Sequence, residues 1–150
     1  MHLIKRGASI ISRCDGILYS LDRESYIHFK KMCITKRRAT YTYTLKKQTL
    51  FSSFSEEELE KICDVLIEII YEEGELVISQ GDIGSKFYII LDGILVAFQD
   101  YEENIVYWYK EGDAFGEIAL IKDTPRLASV KALTRARLVY MTQEVFKRIF

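Results

Sequence analysis

After Gly74 the chain breaks into short runs rich in β-branched and aromatic residues, and this pattern leaves few folds open. The runs are "ELVIS", "KFYIIL", "ILVAFQ", "IVYWY", "ASVKAL" and "ARLVYM", and several are separated by "QGDIGS", "DG" and "EGDAFG". Short strands at this spacing with glycine-bearing breaks predict a small antiparallel β jelly roll or barrel. Helices are expected on both sides of it, so the fold class is α+β. Upstream, "FSSFSEEELEKICDVLIEII" predicts a helix capped by Ser55, with Glu58 completing a capping box and Phe54 and Leu59 at staple positions. Leu59, Ile62, Cys63, Leu66, Ile69 and Ile70 recur at helical spacing and give this helix one apolar face. Downstream, "MTQEVFKRIF" opens a second helix behind Thr142, and the domain reads as truncated within it.

At 150 residues the chain has room for one domain with a sizeable core. Its 21 basic and 22 acidic residues balance, so no overall field favours nucleic acid or a membrane surface, and an anion must be held by local geometry. No apolar run approaches the ~20 residues of a membrane span, and the N-terminus has no signal-like apolar segment. Cys14, Cys33 and Cys63 are too widely spaced for a redox or zinc motif, so reduced thiols in a cytoplasmic protein are expected. His2 and His28 both lie outside the strands, where metal-dependent jelly-roll enzymes need their ligands. No Ser/His/Asp or Cys/His constellation and no P-loop glycine pattern is present, so neither catalysis nor a metal or cofactor is expected.

The first residues resemble the last. "RGASIISRCDGILYSLDRESYIHF" (Arg6–Phe29) aligns without a gap on "RLASVKALTRARLVYMTQEVFKRI" (Arg126–Ile149), at an offset of 120 residues. Arg, Ala, Ser, Leu and Glu coincide, and Ile10/Val130, Leu21/Met141 and Tyr26/Phe146 are similar. The alternative to an internal repeat is chance likeness of two strand–strand–helix segments. As a repeat, residues 1–29 are the last two strands and first helical turns of a preceding copy of the same domain. Residues 30–54 then form a helical connector, and residues 55–150 the domain itself. Within the connector, "KRRAT" (Lys36–Thr40) has the look of a basophilic kinase site, against which stands a solvated basic helix face.

The stretch "FGEIALIKDTPRLAS" (Phe115–Ser129) carries the chemistry. Gly116 lets the backbone approach a ligand, and the start of the short helix "EIAL" offers unpaired N–H groups suited to phosphate. Arg126 supplies a permanent two-pronged donor, and Pro125 restricts the backbone ahead of it. Glu117 would repel a phosphate, so it suits a neighbouring hydroxyl. The ligand so inferred is a phosphate joined to a sugar; a surface Glu–Arg ion pair beside a turn glycine is the other reading.

Phe115-Gly116-Glu117-Ile118-Ala119-Leu120 followed by Pro125-Arg126-Leu127-Ala128-Ser129 closely resembles the phosphate-binding cassette of the cyclic nucleotide-binding domain family. The likeness extends back through "GDAFGE", "FYIILDG" and "GELVISQGDIGSKF". It implies that Glu117 holds the ribose 2′-hydroxyl and Arg126 the cyclic phosphate, with backbone amides around Gly116, Ala119 and Ala128 completing the cradle beside Ile118. It also implies that Val106 and Tyr109 line the base pocket. In the family, domains preferring cyclic GMP often carry Thr or Ser directly after the cassette arginine. Leu127 has no hydroxyl, so cyclic AMP is the expected ligand.

The tandem arrangement, with "LYSLDRESY" as a strand-into-helix phrase, is similar to the regulatory subunits of cyclic-AMP-dependent protein kinases. Ligand binding would then release an inhibited catalytic subunit. The alternative is the regulatory half of a cyclic-GMP-dependent kinase. The upstream copy begins at Lys5-Arg6 without a proline or Gly-Glu pair, so it forms no second complete site. The chain also ends before the helix that often brings an aromatic lid over the base.

Overall fold

The computed structural model describes residues 7–100 and 104–150. The chain divides into two compact units at Cys33/Ile34. In the first, residues 8–22 form neither helix nor strand, and Ile10, Ile11, Leu18 and Tyr19 are almost fully exposed. The strands expected around Ile10–Ile11 and Ile17–Leu21 are therefore not formed. A strand pair with no sheet to join is marginal in water, so its sequence pattern alone does not hold it extended. Arg6, where the repeat begins, lies outside the described residues. Asp22 starts helix α1 (Arg23–Lys46): its carboxylate accepts hydrogen bonds from the Ser25 N–H at 2.8 Å and the Ser25 hydroxyl at 2.7 Å.

Among its described residues the second unit holds the end of α1, a short 3-10 turn (Thr49–Phe51), helix α2 (Glu56–Val65), eight strands and two further helices. The strands are β1 (Ile67–Tyr71), β2 (Leu76–Ile78), β3 (Lys86–Asp92), β4 (Leu95–Phe98) and β5 (Ile105–Tyr109). After β6 (Ala114–Phe115) come α3 (Glu117–Lys122), β7 (Ser129–Ala132), β8 (Ala136–Thr142) and α4 (Gln143–Ile149). All pairings are antiparallel, in two four-stranded sheets ordered β1-β8-β3-β6 and β2-β7-β4-β5. The fold is thus an antiparallel jelly roll flanked by helices. Its two sheets face each other, and among the described residues no ladder closes them into a barrel.

The period-two pattern of β3 and β8 builds two cores. Phe87, Ile89, Val139 and Met141 point to the helices, where they meet Leu45, Phe51, Leu59 and Phe146. Tyr88, Ile90, Ala136 and Leu138 point the other way, against Leu95, Ala97 and Val130 of the second sheet. Both faces of β3 are buried, which is why "KFYIIL" reads as a continuous apolar run.

The capping box forms as expected: Ser55 Oγ accepts from the Glu58 N–H, and the Glu58 carboxylate accepts from the Ser55 N–H at 2.8 Å. The helix does not run on to Ile70, however. It stops at Val65, Leu66 is extended (φ −72°, ψ 133°), and Ile67–Tyr71 pairs with Tyr140–Ala136 as β1. "LIEIIY" fits both periods, and pairing with β8 decides between them. Thr142 caps α4 by accepting from the Val145 N–H. The three cysteines carry free thiols, Cys63 buried and the others exposed.

One polar cluster, with Tyr41 buried and Glu68 and Arg137 at the surface, fixes the end of α1 to the first sheet. Tyr41, 2% exposed, donates to Glu68 Oε2 at 2.8 Å, and Arg137 donates to Glu68 Oε1 through Nε at 3.0 Å and Nη2 at 2.9 Å. Burial pushes the Glu68 carboxyl up, but Tyr41 and Arg137 outweigh it and hold the group below the ordinary glutamate value. A carboxyl depressed in the folded state contributes stability above its unfolded pKa, about 4.3, and loses it as the pH falls through the folded value. Tyr41→Phe is therefore expected to cost about 1–2 kcal/mol at neutral pH. Glu68→Gln should flatten the loss of stability below about pH 4. Urea midpoints recorded from pH 3 to 7 check both, and an unchanged acid limb in Glu68→Gln would exclude this carboxylate as its source.

Candidate functional site

The site forms where β6 runs into α3 and where the chain returns through Pro125-Arg126 into β7. Gly116 makes the turn at φ +94°, in the left-handed region open to glycine, and begins α3. A Cβ there would fall 2.5 Å from Arg126 Nη1 and 3.0 Å from the Lys86 carbonyl oxygen. The glycine is thus required twice, for the turn and for the arginine that packs against it.

Arg126 is 6% exposed. Its Nη1 donates to the Gly116 carbonyl at 2.8 Å and its Nη2 to the Lys86 carbonyl at 2.5 Å. Its backbone is held as well, with its N–H donating to the Asp82 carbonyl at 2.8 Å and its carbonyl accepting from the Gly81 N–H at 2.9 Å. Ile83 and Pro125 form a β-bridge alongside. Burial lowers the Arg126 pKa, opposed by Tyr88, Glu117 and Asp82, and the guanidinium stays cationic.

Glu117 opens α3, half-buried, and among the described residues its carboxylate makes no hydrogen bond and no ion pair. The reading of Glu117 and Arg126 as a surface ion pair is therefore excluded: the arginine is buried, two of its nitrogens donate to backbone carbonyls, and no ion pair joins it to Glu117. Both residues line one cavity of about 100 Å³ with Gly116, Ile118, Ala119 and Leu127. Ala128, Tyr109 and Phe115 complete its wall, with Ile78, Ala97 and Val130 from the β2-β7-β4-β5 sheet. The cavity thus places a buried cation and a separate carboxylate on one small surface at the start of a short helix. Such a surface suits an anion that carries a hydroxyl.

Two residues expected at the site are not in its wall. Val106 is 47% exposed and does not line the cavity. Tyr109 stands opposite Leu95 and Tyr107 opposite Ala97, both core positions, whereas the ladder skips Val106 at a register shift, since Phe98 pairs with Ile105. Trp108, opposite Val96, is 58% exposed. Pro125 is exposed and lies beside a neighbouring cavity, acting on the site through the backbone of Arg126.

Gly84 and the Lys86 carbonyl belong to the site and were not expected there. A Cβ on Gly84 would lie 2.5 Å from the Ala119 Cβ and 3.4 Å from Arg126 Cζ. The signal was the second glycine of "QGDIGS", one more than a strand break needs. Leu127 projects its side chain at 58% exposure while its carbonyl accepts from Gln99 Nε2 at 3.0 Å. Burial, with Glu117 close by, pushes the Tyr109 phenol up to about 12, so it is neutral at physiological pH.

The "KRRAT" segment lies inside α1. Arg38 forks onto Asp64 at 2.9 and 2.7 Å, Arg37 stands 6.0 Å from the Tyr41 ring centroid, and the Thr40 hydroxyl donates to the Lys36 carbonyl at 3.1 Å. It reads as a basic helix face tied to the domain. No group of three or more His, Cys, Asp or Glu among the described residues could hold a metal. No helix among them is long and apolar enough to cross a membrane.

A jelly roll with a glycine turn, a short helix and a buried arginine at one cavity defines a ligand-binding domain of known type. The cyclic nucleotide-binding domain model matches residues 68–150, and the chain belongs to that family. The cyclic-AMP-dependent protein kinase regulatory subunit of Schizosaccharomyces pombe is 35% identical over 150 residues, covering 99% of this chain and 36% of that protein. The chain spans little more than a third of the length of such relatives. Among solved structures, PKAR CBD2 bound to Sp-2Cl-cAMPS is 34% identical with a TM-score of 0.68, covering 77% of this chain and 78% of that one. The regulatory domain of Toxoplasma gondii PKA with cAMP is 32% identical with a TM-score of 0.72, covering 86% and 51%.

Proposed function

We propose that the chain binds cyclic AMP in the Glu117–Arg126 cavity and serves as a regulatory, non-catalytic module of a cyclic-AMP-dependent protein kinase. The observation that carries this reading is the buried Arg126 sharing a cavity with an unpaired Glu117. In it, Arg126 takes the cyclic phosphate with the N–H groups around Gly116, Ala119 and Ala128. Glu117 accepts the ribose 2′-hydroxyl, and Tyr109 and Leu127 bound the space left for the base. The likeness to regulatory subunits and to structures holding cyclic AMP or an analogue supports the ligand and the partner, a kinase catalytic subunit. Residues 1–29 belong on this reading to a preceding copy of the domain, residues 30–54 are the connector, and the protein acts in the cytoplasm.

A switch needs unequal ligand affinity for two conformations. The means to transmit one is present. Asp123 at the end of α3 accepts from Gln143 at 2.9 Å and from Lys147 at 2.6 Å, so a shift of the cassette bears directly on α4.

The ribose role is tested with 2′-deoxy-cyclic AMP. Wild type should bind it about tenfold or more weakly than cyclic AMP, since a hydrogen bond to a charged group contributes about 1.5–3 kcal/mol. Equal affinities would remove Glu117 from the ribose. Base choice is tested with Leu127→Thr, which should raise the affinity for cyclic GMP relative to cyclic AMP by about three- to tenfold in competition binding. No shift would mean that this position does not read the base, and a wild-type preference for cyclic GMP would favour the cyclic-GMP-dependent kinase reading.

A further inference from the structure

We infer that Tyr109 is a gate between the nucleotide cavity and a second cavity behind it, and so determines which substituents on the purine the protein accepts. The inference rests on the proposed reading of the Glu117–Arg126 cavity as a cyclic nucleotide site.

Among the described residues, Tyr109 alone lines both cavities. On one side lies the space of about 100 Å³ that holds Glu117 and Arg126. On the other lies a space of about 290 Å³ walled by Gln48, Tyr107, Asp113 and Ala114. The first is small beside the ~300–1,000 Å³ usual for a small-molecule site. Bulk added to a base on its Tyr109 side must therefore go past that ring or be refused. The ring does not stand loose. Its centroid is 4.7 Å from that of Tyr107 and 5.1 Å from that of Phe115, which in turn stacks on Tyr88 at 5.1 Å. A ring braced on two sides obstructs by its size, so its removal joins the two spaces.

The second cavity also defines the chemistry it takes. Asp113 brings a carboxylate, which accepts from the Lys110 N–H at 2.9 Å, and the Gln48 amide donates to the Gly112 carbonyl. Tyr107 and Ala114 add apolar surface beside these polar groups. Uncharged aromatic or aliphatic substituents suit this space, while an anionic substituent would face Asp113 with no cation among the described residues that line it.

The test measures, on the full 150-residue chain, affinities for cyclic AMP and for its N6-benzyl and 8-benzylamino derivatives. In Tyr109→Ala and in the milder Tyr109→Leu, the affinity for at least one derivative relative to cyclic AMP should rise about tenfold or more over wild type, the scale set by a hydrophobic pocket gaining a group. Tyr109→Phe should leave that ratio within about threefold, since the ring remains. Adding Ala114→Leu to Tyr109→Ala adds bulk to a residue that lines the second cavity and should reverse the gain. A ratio unchanged in both small-residue variants, or affinities that fall in parallel for all three ligands, would overturn the gate. If wild type binds none of the three, it is the cyclic nucleotide reading that fails.

Discussion

Arg126→Lys is expected to weaken cyclic AMP binding about tenfold at the least and up to a hundredfold, because one or two charge-assisted hydrogen bonds of about 1.5–3 kcal/mol each are lost. The guanidinium has five donors in a plane, and two of its nitrogens already serve the Gly116 and Lys86 carbonyls. It can hold both backbone strands and still present N–H groups to a phosphate. An ammonium at the same depth has three donors on one atom and cannot span both carbonyls and a ligand. Burial would also lower the lysine pKa and weaken the charge itself. Calorimetry on wild type and variant checks the prediction, with adenosine as the second ligand. The loss should be large for cyclic AMP and small for adenosine, which has no phosphate. A parallel loss for both would mean that the lysine disturbs the fold rather than the phosphate contact.

Gly116→Ala is expected to act on the same arginine from its other side. An alanine at φ +94° carries about 1–2 kcal/mol of backbone strain. Its Cβ would also fall 2.5 Å from Arg126 Nη1, well inside contact distance. The arginine must then leave the Gly116 carbonyl, or the turn must open and carry α3 with it. The expected outcome is a loss of about 2–3 kcal/mol in stability by urea denaturation, together with a loss of cyclic AMP affinity of about tenfold or more. Wild-type values in both measurements would show that the close approach of Gly116 and Arg126 is dispensable.

The cassette was legible in the sequence because its determinants are local. Gly116 and Glu117 sit together at a turn, and Pro125 and Arg126 sit together at the return, so spacing alone pairs a flexible backbone with a fixed cation. The strands after Gly74 were legible for a similar reason, since each alternates or saturates with β-branched residues between glycine-bearing breaks. What the sequence did not show depends on pairing between distant segments. Ile67–Tyr71 satisfies a helical and an extended period, and its partner β8 begins at Ala136. The place of Val106 at a register shift follows from the pairing of β5 on β4, which no local pattern reports. Gly84 and the Lys86 carbonyl reach Arg126 across some forty residues of chain and contribute backbone and space rather than a side chain. The likeness of the first residues to the last promised strands, and the described residues before Asp22 form none.

The site is built so that one residue answers for two tasks. Arg126 joins the β3 backbone to the start of α3 and is at the same time the cation that the proposed ligand needs. A phosphate arriving at it therefore bears on the position of α3, and through Asp123 on α4. On this account ligand and helix movement are coupled by the same guanidinium.

The most direct test of the central claim is calorimetric titration of the 150-residue chain with cyclic AMP and, separately, with adenosine. The account predicts saturable binding of cyclic AMP at one site and an affinity for adenosine lower by about a hundredfold or more, the phosphate supplying one to two charge-assisted hydrogen bonds to Arg126. Equal affinity for the two ligands, or no binding of cyclic AMP, would contradict it.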